Sequence, residues 1–113
     1  MVTVLPRRAF IRAVSARLAW FGENSNEEQI ESFLSALNIV RERIATAPLA
    51  GPIVKEDVGH VLRMRIFPRP LPYLVYHGHT RARAAREITE VYLVRLFGSG
   101  QDREDIDMSG WPW

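Results

Sequence analysis

The chain has 113 residues, of which 47% are hydrophobic and 25% charged, with no cysteine and a formal net charge of +2. That balance describes one folded domain with one core, and the missing cysteines exclude disulfides, a thiolate metal site and a cysteine nucleophile together. No apolar run approaches the roughly 18 residues of a membrane-spanning helix, and MVTVLPRR lacks the apolar segment of a secretory leader, so the expectation is a cytoplasmic protein without membrane attachment.

Val2–Leu5 is short and β-branched and reads as a first strand closed by Pro6. From Arg8 the period changes. Phe10, Val14, Leu18 and Phe21 recur at helical spacing, and Gly22 ends that helix. In ENSNEEQ, Ser25 and Glu28 have capping-box spacing, and Asn26 is an equally good N-cap. Ile30, Phe33, Leu34, Leu37, Val40 and Ile44 mark one face of a second helix, stopped by Pro48 and Gly51-Pro52. The short connection predicts an antiparallel helix hairpin.

The second half alternates with period two. In Val61–Phe67, Leu62, Met64 and Ile66 share one face; Arg63 and Arg65 lie on the other with Val61 and Phe67. The expectation is that Leu62, Met64 and Ile66 pack on the hairpin near Leu34 and Leu37, with Arg63 and Arg65 pointing away. PRPLP makes a turn, Leu71–His77 a third strand, and Gly78 opens a polar loop in which Arg81, Arg83 and Arg86 alternate with small residues. Glu87–Phe97 is the strongest strand, β-branched and aromatic almost throughout. The order β-α-α-β-β-β describes an α+β domain over residues 1–100: an N-terminal strand and a helix hairpin packed on a mainly antiparallel sheet of three to four strands. Residues 101–113 form an acidic tail ending in the aromatic pair Trp111 and Trp113, with no expected regular structure. The second sheet face must be curved over, covered by the tail or offered to a partner.

Charge is arranged in blocks: +4 over residues 1–22, −4 over 23–57, +5 over 58–100 and −3 over 101–113. Lys55 is the only lysine beside 14 arginines, and arginine favours bidentate recognition of carboxylate or phosphate. His77 and His79 form an i, i+2 pair at an expected strand end with no third ligand nearby, and His60 is isolated. Asp102, Glu104, Asp105 and Asp107 lack the glycine and spacing of a calcium loop. Neither a metal nor a cofactor is expected, and a solvated acidic tail is the plain reading of the last group.

LPRRAF, the apolar second helix, APLAGP, VLRMRIF, PYLVYH and EITEVYLVRLF, followed by a charged ending, form a pattern over about residues 2–103. It resembles the RelE/ParE superfamily, the toxins of type II toxin–antitoxin modules. The resemblance implies a helix hairpin on an antiparallel sheet and neutralisation by an antitoxin whose C-terminal segment wraps the toxin. It also implies one of two targets: DNA gyrase, bound without hydrolysis by the ParE-like branch, or mRNA in the ribosomal A site, cut by the RelE-like branch. The cutting branch typically carries an arginine after the tyrosine of the third-strand segment, where this chain has Leu74. It also tends to carry a late acid–base group, yet no tyrosine follows Tyr92, and Gly98 stands where many relatives have histidine. The candidates for chemistry are therefore only Arg63, Arg65, Tyr73 and Arg95, a phosphate clamp without an acid–base pair. Partner binding is expected at Arg63, Arg65, Arg81, Arg83, Arg95 and Arg103, with an acidic, partly disordered antitoxin segment as the nearest partner. The expectation is a ParE-like, non-enzymatic toxin; the alternatives are a RelE-like mRNA endoribonuclease or an inactive folded relative.

Overall fold

In a computed structural model, which describes residues 2–24 and 26–113, the chain begins with a short strand, β1 (Thr3–Pro6). Two helices follow, α1 (Arg8–Glu23) and α2 (Glu27–Thr46), then four strands: β2 (Ile53–Glu56), β3 (His60–Ile66), β4 (Leu74–Thr80) and β5 (Glu90–Phe97). The five strands form one sheet in the order β1-β5-β4-β3-β2. All neighbours are antiparallel except β1, which runs parallel beside β5. The α+β architecture matches the sequence reading, with one strand more. That strand, β2, is the four-residue IVKE paired to β3 at the sheet edge.

Local chemistry accounts for the helices. Asn26 caps α2, its Oδ1 accepting from the Gln29 backbone N–H at 3.2 Å, with Glu27 and Glu28 in the first turn where the helix dipole favours acids. The Ser25 half of the expected capping box lies outside the described residues. Phe10 and Phe21 of α1 and Phe33, Val40 and Ile44 of α2 face inward. They meet Val75, Val91, Leu93 and Leu96 of the sheet and Phe67 just past β3. An edge-on chain of rings, Phe21 to Phe33 to Tyr73, ties the hairpin to the loop before β4.

Here the expected strand faces are exchanged. The alternation in β3 is as read, but Leu62 and Met64 belong to the second face, away from the helices, with Tyr76, Val94 and Phe97. Ile66 is 64% exposed and Leu34 is also largely exposed. Arg63 and Arg65 share the helix side with Phe67, and their side chains reach back to the segment that follows α2. The physical reason is that the second face is also buried. The tail crosses it, and Ile106 and Met108 are buried against Leu62, Tyr76, Val94 and Phe97. With apolar rows on both faces, alternation alone does not tell which row meets the hairpin. A β-bulge adds to the ambiguity: Tyr76 pairs with Arg95 but His77 with Leu93, so Val94 is an extra residue and the alternation of β5 slips there.

The third strand is also displaced, running Leu74–Thr80 rather than Leu71–His77, so Gly78 is inside it. Two glycines have clear steric reasons. At Gly51 (φ +99°) a Cβ would lie 2.7 Å from the Met64 carbonyl oxygen, so the loop after α2 can lie directly on β3. At Gly78 a Cβ would collide with the Trp113 ring. The tail itself contains only one short 3₁₀ turn, Met108–Gly110, held by Asp107 accepting from the Ser109 N–H. It is nonetheless part of the packed body.

Gly78→Ala is therefore expected to lift Trp113 off the sheet and to cost about 1–3 kcal/mol, the usual range for overpacking a filled site. Chemical denaturation with tryptophan emission checks this, and the emission of the folded variant is expected to shift to the red.

Candidate partner-binding surfaces

The arginines singled out in the sequence fall into three places. On the helix side, Arg63 donates from Nη1 to the Gly51 carbonyl at 2.8 Å and from Nε to His79 Nε2 at 3.1 Å. Arg65 donates from Nη2 to the Ala47 carbonyl at 3.1 Å, beside the carbonyl end of α2. A cation there is favoured by the helix dipole. Burial lowers the pKa of both guanidinium groups, opposed at Arg63 by Glu56 and aided at Arg65 by Arg43. Tyr73 lies on this side too, but at the far end of β4, packed against Phe33 and Phe67.

On the opposite face, Arg95 binds the tail. Its Nε and Nη2 both donate to Glu104 Oε2, at 3.1 and 2.7 Å, and its Nη1 reaches the Val94 and Trp113 carbonyl oxygens. The ion pair holds the Glu104 carboxyl below its ordinary pKa. Nearby, Lys55 binds Asp105 and the Ile106 carbonyl, so two of the tail's acids are paired rather than simply solvated. Arg103 lies over the Met64 sulfur at 3.9 Å.

At the third place, Arg81 clamps the β2–β3 turn, donating to Glu56 Oε2 at 3.0 Å and from Nε and Nη2 to the Asp57 carbonyl. Asp57 Oδ1 accepts from Gly59 and His60 N–H groups, which lowers its pKa and leaves Val58 at the exposed tip. Arg83 is exposed, with only its backbone N–H bonded, to Glu87. Thus Arg63, Arg65, Arg81 and Arg95 have internal partners, whereas Arg83 and Arg103 keep their guanidinium groups at the surface.

His77 and His79 are core residues of β4, not strand-end or loop residues. Both are essentially inaccessible. His79 Nε2 receives the Arg63 bond and its Nδ1 lies 2.7 Å from the Thr80 carbonyl, so the neutral Nδ1–H tautomer satisfies both contacts. His77 has neither ring nitrogen bonded. Burial, reinforced by Arg65, His79 and Arg63, pushes its pKa down to about 3.

A fourth place has no counterpart in the sequence reading. On one flank of α1, the Arg17 guanidinium lies over the rings of Tyr73 and Trp20, 5.3 and 5.9 Å from their centroids. Cavities of about 260 and 590 Å³ open on its two sides, and all three residues line both. Trp20 is 49% exposed. Its i, i+3 spacing from Arg17 was a visible signal, but Tyr73 and Gly98 reach the cluster from distant parts of the chain.

No family model matches this chain, nor does any curated protein or solved structure. Among the described residues no helix is long and apolar enough to cross a membrane.

The buried histidines predict an acid limb in stability. His77 binds a proton far more weakly when folded than when unfolded, so its stabilising effect is complete above the unfolded pKa of about 6.5 and is lost as pH falls toward about 3. Lowering the pH from about 7 to about 5 should cost about 2 kcal/mol through His77 alone; the pKa of His79 is also lowered by burial. Urea midpoints across that window, compared with those of His77→Leu, check this: the variant should show a shallower slope.

Proposed function

We propose that this chain is the toxin of a type II toxin–antitoxin pair of the RelE/ParE kind, acting as the ParE-like branch does, by binding DNA gyrase without cutting a nucleic acid. The observation that supports binding over cleavage is the dispersal of the four residues proposed for chemistry. Arg63 and Arg65 bond to the segment after α2, Tyr73 packs among phenylalanines, and Arg95 is bound to Glu104 on the other face. Scission through a 2′-hydroxyl needs a base, an acid and a phosphate clamp around one atom. The histidines do not supply the missing pair, because His77 and His79 are enclosed.

The antitoxin is proposed to be an acidic segment that orders on binding. With Arg63 and Arg65 bonded to the segment after α2, the exposed basic groups left for it include Arg83, Arg103 and those of α1, where Arg8 and Arg12 are exposed and no acid precedes Glu23. A partner that binds only the folded chain raises its unfolding midpoint. The cytoplasm is the compartment this reading requires.

Induced expression with parallel assays of plasmid supercoiling and mRNA cleavage tests the proposal. The expected result is growth arrest, with gyrase-dependent supercoiling inhibited by purified protein and ribosome-bound mRNA intact. Codon-specific cuts in the A site, lost on changing Tyr73 or Arg65, would overturn it in favour of the nuclease.

A further inference from the structure

We propose that the paired cavities around Arg17 bind one nucleotide unit, its phosphate on the side of the smaller cavity and its base in the larger. This site does not rest on the toxin reading, and its central group, Arg17, is none of the arginines discussed under it.

The lining of the smaller cavity selects an anion. Its polar side chains are Arg17, Trp20, Tyr73 and Gln101, and no carboxylate lines it. Arginine and the indole N–H are donors only. Gln101 uses its Oε1 to accept from the Gly98 N–H at 3.0 Å, which leaves its amide N–H groups to donate. Among the described residues Arg17 takes part in no ion pair. The guanidinium lies over two rings and, among the described residues, makes no side-chain hydrogen bond, which leaves its N–H groups to donate to a phosphate. Gly98 makes the arrangement possible, since a Cβ there would lie 3.1 Å from Arg17 Nη2.

The larger cavity, across the same Arg17–Trp20–Tyr73 wall, has a different character. Asn26, Gln29, Ser32 and Glu28 line it, so donors and acceptors are mixed, as a base edge requires. Glu28 disfavours a phosphate on this side and can accept from an exocyclic amino group. The half-exposed Trp20 offers a ring for the base to stack on, and such stacking is tolerant of base identity. An acidic peptide side chain fits the donor-lined cavity but gives no use to the mixed, aromatic-walled one beside it. A nucleotide uses both, and the exposed Arg12 on the same helix offers a contact for a second phosphate if the unit belongs to a strand.

The test is titration of the purified chain with 5′-adenylate, 5′-uridylate, adenosine, a short single-stranded RNA and an acidic aromatic peptide, followed by calorimetry and amide chemical shifts. The nucleotides are expected to bind and to shift the amides around Arg17, Trp20 and Gly98, with adenosine markedly weaker. Tighter, salt-sensitive binding of the RNA identifies a strand as the source of the unit, and equal binding identifies free nucleotide; either supports the site. Arg17→Ala and Trp20→Ala should each weaken binding about tenfold or more, Trp20→Phe should restore most of it, and Gly98→Ala should weaken it by displacing the guanidinium. All three positions are at the surface or partly so, and circular dichroism confirms folding of each of the four variants. Binding of the peptide but of no nucleotide or RNA, or nucleotide binding unchanged in folded Arg17→Ala, would overturn the proposal.

Discussion

The central strands of this domain are apolar on both faces, while the helices cover only one. Phe67, Val75, Leu93 and Leu96 need the hairpin; Leu62, Tyr76, Val94 and Phe97 need something else. Among the described residues no further α-helix provides it. The last thirteen residues do so by inserting Ile106, Met108 and Trp113 into that face. Trp111 stacks on His60 and meets Tyr92 edge-on. Burying the Ile and Met side chains is worth about 1.5–3 kcal/mol each, a large share of the stability of a small domain. The ion pairs of Arg95 with Glu104 and of Lys55 with Asp105 align the segment and contribute less, because both acids are largely exposed.

Covering both faces also decides what the arginines do. Long side chains can bury their stems and present the head group to carbonyl oxygens. Arg63 and Arg65 do this under the hairpin, bonding the segment that follows α2, and Gly51 lets that segment lie close enough to be reached. Burial, aided by the positive row on the helix side of β3, keeps His77 and His79 neutral beside it. Four of the seven arginines of residues 58–100 are thus committed to internal contacts, and exposed positive surface shifts toward α1, beside Arg83 and Arg103. The proposed partner surfaces follow that shift.

Much of the architecture was legible in the sequence. The spacing of Phe10, Val14, Leu18 and Phe21, and of Ile30 through Ile44, located both helices, and Asn26 caps as its position suggested. Alternation located β3, and β-branched and aromatic composition located β5, but neither gave the choice of face, because that choice depends on a tail with no periodicity of its own. Phe67, in the same alternation row as Arg63 and Arg65, carried the clue that this row meets the hairpin. The strand β2 is too short to show a period, and Gly78 inside β4 resembled a loop opening because its steric reason, Trp113, is 35 residues away. Of the Arg17 cluster only the Arg17–Trp20 spacing was visible, because its other walls, Tyr73 and Gly98, converge on it only in the folded chain.

The most direct measurement is the stability of a chain ending at Arg103, without the segment that carries Glu104, Ile106, Met108 and the two terminal tryptophans. If the tail is the second layer of the core, urea unfolding of the shortened chain should begin at much lower denaturant, and the folded form should bind a hydrophobic dye through the uncovered Leu62, Tyr76, Val94 and Phe97. An unchanged midpoint with no dye binding would contradict the account, because it would mean that this sheet face does not need the cover that the tail provides.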